Sequence, residues 1–174
     1  MVWVIEQFDS AHVRTGFDCG KPSLNDFLLQ RVTQYQKRNI GRTYVLVPEG
    51  EKTVVGYYTL AASQIHVEEL PEEVAKKLSR HPLPAILLGR LAVASSHHGQ
   101  KLGALLLRDA LQKCLDVSDT LGVFAVFVEA IDEQAVAFYV KYGFIPLKDS
   151  PNRLFLQITT LRKSRPEQSD PTPP

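Results

Sequence analysis

Cysteine is scarce in this chain, and long apolar runs are missing altogether. Only two cysteines, Cys19 and Cys114, occur among 174 residues. They lie far apart and outside any metal-ligand spacing, which argues against a disulfide framework or a cysteine-built metal centre. Cys114 falls on the apolar face of a helical pattern, as a packed core thiol does. No apolar run approaches the roughly 18–20 residues needed to span a bilayer. Val2 to Phe8 is short and is broken by Glu6, unlike the apolar stretch of a signal peptide. A cytoplasmic chain that binds no membrane is expected. Carboxylates are missing from one long stretch: Arg31, Lys37, Arg38 and Arg42 stand between Phe27 and Pro48 with no acidic residue among them, while Glu68, Glu69, Glu72 and Glu73 gather farther on. The net charge of +1 hides this asymmetry. It hints at a polyanionic partner for one face, while charge alone favours a solvated helix face.

What is present is the composition of a soluble globular protein. Hydrophobic residues at 44% and charged residues at 22% allow one domain with its own core. Val2 to Phe8 reads as a first strand. Pro22 suits the opening turn of a helix, and Leu24, Phe27, Leu28, Val32 and Tyr35 trace its apolar stripe to about Asn39. Thr43 to Val47 and Val54 to Ile65 read as strands joined through Pro48-Glu49-Gly50-Glu51-Lys52. A short helix is expected over Leu70 to Leu78, a loop over Ser79 to Pro84 and a buried strand over Ala85 to Val93. Leu107, Leu111 and Leu115 repeat along a helix from Leu102 to Val117, with Arg108, Asp109, Gln112, Lys113 and Asp116 on its other face. Strands follow at Val123 to Val128 and Leu154 to Thr160. From Arg162 onward the tail is polar and proline-rich, so residues 1–161 are expected to form the domain and 162–174 a disordered tail. The order of elements implies an α/β chain, a mixed and mostly antiparallel sheet of about six to seven strands flanked by helices.

Two segments carry the chemistry. His97-His98-Gly99-Gln100-Lys101-Leu102-Gly103-Ala104 follows the apolar run Leu87 to Val93 and opens a leucine-rich helix. A strand, a glycine-bearing turn and a helix N-terminus form an anion site, because the first helical N–H groups are unpaired and the dipole end is positive. Adjacent histidines diverge and no carboxylate stands at ligand spacing, so His97-His98 is not expected to bind a metal. The second segment, Glu133 to Tyr142, places Ala135, Phe138, Tyr139 and Tyr142 on one helical stripe. Gly143 stops it, and Phe144-Ile145-Pro146 runs on extended. By periodicity alone Tyr139 is a core residue.

The segments HGQKLGALLL and AFYVKYGF resemble the acyl-CoA-binding and catalytic segments of the GCN5-related N-acetyltransferase (GNAT) superfamily. GFDCGKPSLNDFL, QKRNIGRTYVLV, GRLAV and the closing RLFL are similar to the acetyltransferase toxins of bacterial toxin–antitoxin modules, and the resemblance covers about Phe8 to Leu156. It implies the GNAT fold and acetyl-CoA as acetyl donor. It implies cofactor contacts from the backbone of Leu91, Ala92 and Val93 and from His98, Gly99, Gln100, Lys101, Leu102, Gly103 and Ala104. The family pattern Q/R-x-x-G-x-G/A falls on His98, Lys101 and Gly103, so histidine and lysine depart from it. Lysine is costly there if the turn demands positive φ. The resemblance makes Tyr139 the general acid that protonates the departing thiolate. Glu129 and Asp132 remain as groups that could orient an amine. It further implies an aminoacyl-tRNA substrate held by Arg31, Lys37, Arg38, Arg42 and Arg90, a block of translation, a ribbon-helix-helix antitoxin whose tail covers the basic surface, and a homodimer as one assembly open to the chain. Acetylation of a small-molecule or protein amine, or a silent acyl-CoA-binding module, are the competing readings.

Overall fold

Runs of consecutive buried residues, Gly56–Thr59 and Ala125–Val128 among them, build the central strands of the sheet. The computed structural model describes residues 1–164. Seven strands, β1 (Trp3–Gln7), β2 (Arg42–Pro48), β3 (Gly56–Ile65), β4 (Leu83–Val93), β5 (Ala125–Glu129), β6 (Ile145–Leu147) and β7 (Ser150–Gln157), are hydrogen-bonded in the order β1-β2-β3-β4-β5-β7-β6. The pairs β1–β2, β2–β3, β5–β7 and β6–β7 are antiparallel. The helices are α1 (Pro22–Asp26), α2 (Val32–Lys37), α3 (Glu72–Ala75), α4 (Leu102–Ser118), α5 (Glu133–Lys141) and α6 (Ile158–Ser164). The expected mixed, mostly antiparallel sheet with flanking helices is what forms.

The backbone departs from the sequence reading in several places. The last strand ends at Gln157, and Ile158 begins α6, so the segment expected as strand to Thr160 turns helical. Helix α6 carries the folded chain to Ser164, past the expected boundary at 161, and Arg162 is held by Asp119 (2.9 Å) and Ser118 (2.8 Å). The remainder of the expected tail, 165–174, lies outside the described residues. Strand β4 starts at Leu83 and takes in Pro84, whereas α3 shrinks to a single turn.

The described chain divides into two units, Met1–Ser63 with Ile86–Gln112, and Gln64–Ala85 with the described residues from Lys113 to Ser164. In the first, Phe8, Phe17, Phe27, Leu28, Val32, Val45, Val47 and Tyr57 form one buried cluster with Ala92. Gly56 lets β3 lie close on β4, since a Cβ there would stand 2.9 Å from the Ala92 carbonyl oxygen. Asp109, expected on the solvent face of α4, instead accepts a 2.5 Å hydrogen bond from the buried Tyr58 hydroxyl and fixes the helix behind the strand. In the second unit, Phe127, Phe155 and Leu154 form the interior of the β5–β7 pair. Arg153 of β7 bonds Glu69 and lies 3.7 Å from Glu129. Cys114 is fully buried, and burial pushes its thiol up to about 12, as suits a core thiol.

The stretch between Pro22 and Lys37 is not one regular helix. Phe27–Arg31 forms a π turn between α1 and α2, with the Val32 N–H bonded to the Phe27 carbonyl. A π turn takes up one extra residue. At about 100° per residue, Phe27 and Tyr35 would sit about 80° apart around a regular helix, and the extra residue returns them to within about 20°. Their rings meet edge to face at 5.1 Å. Arg14 donates to the Leu28 carbonyl (2.8 Å) and so supplies a partner within the widened turn.

Candidate active site

The turn after β4 is fixed residue by residue. Ala94 N–H bonds the Val55 carbonyl (2.7 Å) and Ser95 N–H the Asp18 carbonyl (2.8 Å), so the chain leaving the strand is anchored on both sides. Ser95–His97 makes a single 3-10 turn. His97 sits against Trp3, ring centroids 5.6 Å apart, and its Nδ1 lies 2.8 Å from the Ser96 hydroxyl. His98 Nε2 lies 2.7 Å from the carbonyl oxygen of Val93.

Gly99 then takes φ 80° and Lys101 φ 60°, both left-handed. A Cβ at Gly99 would meet nothing within 4 Å, so this turn faces open space. The Lys101 carbonyl accepts from Leu105 N–H (3.2 Å), which starts α4. No acidic residue stands in the first turn of that helix. Gly99, Gln100 and Lys101 are exposed, Leu102 is buried, and Gly103 and Ala104 are half-buried. An open turn, unpaired helical N–H groups, a lysine and no competing carboxylate fit a diphosphate. Leu91 and Val93 are half-buried around the buried Ala92, so this strand end is accessible only in part. Among the described residues no cluster of histidine, cysteine and carboxylates could hold a metal ion.

Tyr139 belongs to the second unit, on α5. Asp132 caps that helix by accepting from Ala135 N–H (2.8 Å). Gly143, at φ 95°, ends it, and Phe144 N–H returns to the Tyr139 carbonyl (3.1 Å). The tyrosine ring meets Phe138 at 5.2 Å and Phe144 at 5.3 Å. Burial raises its hydroxyl far above the ordinary tyrosine value, so the group keeps its proton through the neutral range. Of the two carboxylates considered for the amine, Asp132 serves as the helix cap and Glu129 is exposed beside Arg153.

The basic residues lie in the first unit with the turn. Arg31 closes the π turn, Lys37 ends α2, Arg38 caps it and Arg42 opens β2; all four are exposed. Arg42 donates to the Gln36 carbonyl (3.2 Å). Lys37 also borders a hollow of about 260 Å³ lined by Phe8, Asp9, Ser10, Thr33 and Gln36. Arg90 is set apart from them. It is half-buried on β4, with its guanidinium carbon 3.8 Å over the Phe27 ring and 5.3 Å from that of Tyr35. The sequence offered no signal for that seat, since Phe27 and Tyr35 read only as core positions of a helix.

An open, glycine-bearing turn between a sheet strand and a helix N-terminus is a feature that CoA-dependent acyltransferases use. The sequence matches the acetyltransferase (GNAT) domain over residues 18–164. It is 36% identical over 148 residues to the tRNA-acetylating toxin of Mycobacterium tuberculosis (strain ATCC 25618 / H37Rv), covering 85% of this chain and 87% of that protein. Among solved structures it is similar to AtaT complexed with acetyl-methionyl-tRNAfMet, with a TM-score of 0.86, 34% identity, and coverage of 93% of this chain and 98% of that one. It is also similar to a Tyr-to-Phe mutant of the AtaT toxin bound to the C-terminus of the antitoxin AtaR and acetyl-CoA, with a TM-score of 0.81, 32% identity, and coverage of 92% and 96%. The chain belongs to the GNAT acetyltransferase family. It is an N-acetyltransferase that uses acetyl-CoA.

Proposed function

We propose that this enzyme is a toxin that acetylates the α-amine of aminoacyl-tRNA and thereby blocks translation. The observation that carries the reading is the pairing, within one unit, of a phosphate turn with an acid-free basic stretch, in a chain 36% identical to a tRNA-acetylating toxin. Acetyl-CoA, when bound, supplies an acetyl group activated as a thioester. The residues that would hold it are the backbone of Leu91, Ala92 and Val93 and the turn from His98 to Ala104. The N–H groups and Lys101 take the diphosphate, and the His98 imidazole stiffens the turn.

In the transfer a C–N bond would form and the C–S bond break; the Tyr139 hydroxyl would give its proton to the thiolate sulfur, the acylated nitrogen would release one to solvent, and the tyrosine would recover one from it. The acceptor needs little help. A free α-amine has a pKa of about 7.7–8.0, and a neighbouring ester lowers it, so much of the substrate arrives neutral. This fits the absence of an uncommitted carboxylate at Asp132. Arg31, Lys37, Arg38 and Arg42 attract the tRNA backbone. The same surface suits the acidic tail of a ribbon-helix-helix antitoxin. The cytoplasm is the setting that this reading takes, with a homodimer as one assembly open to the chain.

The test is acetyl transfer from labelled acetyl-CoA to charged tRNA. Label should appear on the aminoacyl moiety, be released with it by mild base, and be absent with uncharged tRNA. Labelling of free amines or protein lysines at comparable kcat/KM would replace this reading with the small-amine one. Acetyl-CoA binding without transfer to any amine would leave a silent binding module.

A further inference from the structure

Arg90 differs from the other basic residues in being held rigid. Its guanidinium lies 3.8 Å over Phe27, with Tyr35 at 5.3 Å. Phe27 is buried and stacks in turn near Tyr57 at 6.0 Å. Its seat exists because the π turn brings Phe27 and Tyr35 to one side and Arg14 bonds the Leu28 carbonyl within that turn. Yet no carboxylate or carbonyl among the described residues pairs with the guanidinium. Among the described residues no side-chain nitrogen or oxygen is both buried and without a hydrogen-bond partner, so the N–H groups of the half-buried Arg90 keep access to solvent. A cation clamped by its face, with its edge open, is preorganised for a planar, bidentate anion. Arg90 also directly precedes Leu91-Ala92-Val93 on β4, where the acyl donor's arm is placed, so its anion lies close to the reacting end of the substrate.

We propose that Arg90 takes a phosphodiester of the single-stranded 3′ end of the aminoacyl-tRNA and sets the register of the aminoacyl amine, whereas Arg31, Lys37, Arg38 and Arg42 serve the duplex behind it. The inference rests on the tRNA reading above and sharpens it. Charge alone does not meet the requirement, because a lysine presents a point charge on a flexible stem and loses the fork.

The experiment compares Arg90→Lys with the wild type on three acceptors carrying the same aminoacyl group: full tRNA, a CCA trinucleotide, and adenosine with no phosphate. Arg90→Lys should lower kcat/KM roughly 10- to 100-fold on tRNA and on the trinucleotide, the range expected for a charge-assisted bidentate contact. It should leave aminoacyl-adenosine and acetyl-CoA affinity unchanged. Wild-type kcat/KM should fall by a similar factor when the phosphates are removed, a comparison that does not depend on the variant folding, and Arg90→Lys on the same acceptors closes the double-mutant cycle. With tRNA, Arg90→Ala, which removes the charge as well as the fork, should flatten the slope of log affinity on log salt by about 0.7, the value for one single-stranded phosphate, whereas Arg90→Lys should leave the slope unchanged. A loss confined to full tRNA would move Arg90 to the duplex and overturn the proposal, as would equal losses on all three acceptors or none at all. If the wild type fails on aminoacyl-tRNA itself, the tRNA reading falls first, and that outcome is separate.

Discussion

The imidazole of His98 reaches back to the carbonyl oxygen of Val93, 2.7 Å away, so the start of the phosphate turn is tied to the last residue of β4. The family pattern places a glutamine or arginine at this position. Here a ring nitrogen holds the protein's own backbone, and the turn proposed to take the diphosphate is braced by the chain itself. His98→Ala should loosen the turn and weaken acetyl-CoA binding about 3- to 10-fold, the worth of one hydrogen bond. Isothermal calorimetry reads it, and unchanged affinity would show that the bond does not organise the turn.

Lys101 combines two unfavourable choices: left-handed backbone at φ 60° without being glycine, and a cation at the positive end of α4. Both are tolerable where an anion binds. Lys101→Gly and Lys101→Ala should each weaken acetyl-CoA binding and reduce its salt dependence. The glycine variant should be the more stable of the two by roughly 1 kcal/mol in urea denaturation. Equal stability would remove the strain from the account.

Charge reversal at Lys37 and Arg38 should raise KM for aminoacyl-tRNA while acetyl-CoA affinity holds, because the turn is built from other residues. The salt dependence of tRNA binding should also flatten. If the double variant acetylates tRNA normally at physiological salt, this stretch is only a solvated surface.

Cys114 gives the fold an alkaline signature. Its thiol, ordinarily near 8.5, is pushed up to about 12 by burial. The unfolded chain therefore loses this proton at lower pH than the folded one, and the stability tied to it is full below about 8.5 and declines as pH rises toward the folded value. Cys114→Ala should lower stability at neutral pH through the cavity it leaves, yet flatten the decline between about pH 8.5 and 10. Urea midpoints across that range test it; parallel curves for the two proteins would contradict it.

The parts of the molecule legible in the sequence are those set by local pattern. The stripe Leu107-Leu111-Leu115 and the glycine-bearing turn before it produced α4 and the open, left-handed turn at its start, and Gly143 ended α5 where expected. The π turn was not legible, because its residues keep a helical apolar pattern while the inserted residue changes only the phase. The seat of Arg90 depends on that phase and on a contact with Phe27 from a distant part of the chain. Asp109 read as solvent-facing because its partner, Tyr58, lies on another element. The role proposed for Tyr139 rests on its resemblance motif alone, since its position on an apolar stripe is equally that of a core residue.

The most direct test of the enzymatic account is the turnover of Tyr139→Phe on aminoacyl-tRNA, measured beside its acetyl-CoA affinity. The substitution removes one hydroxyl and keeps the ring that packs on Phe138 and Phe144. The account predicts a folded protein with wild-type acetyl-CoA affinity and a kcat lowered by about 10²–10⁴-fold, the contribution of one general acid. A kcat near that of the wild type would show that Tyr139 only fills the core and that the thiolate takes its proton elsewhere.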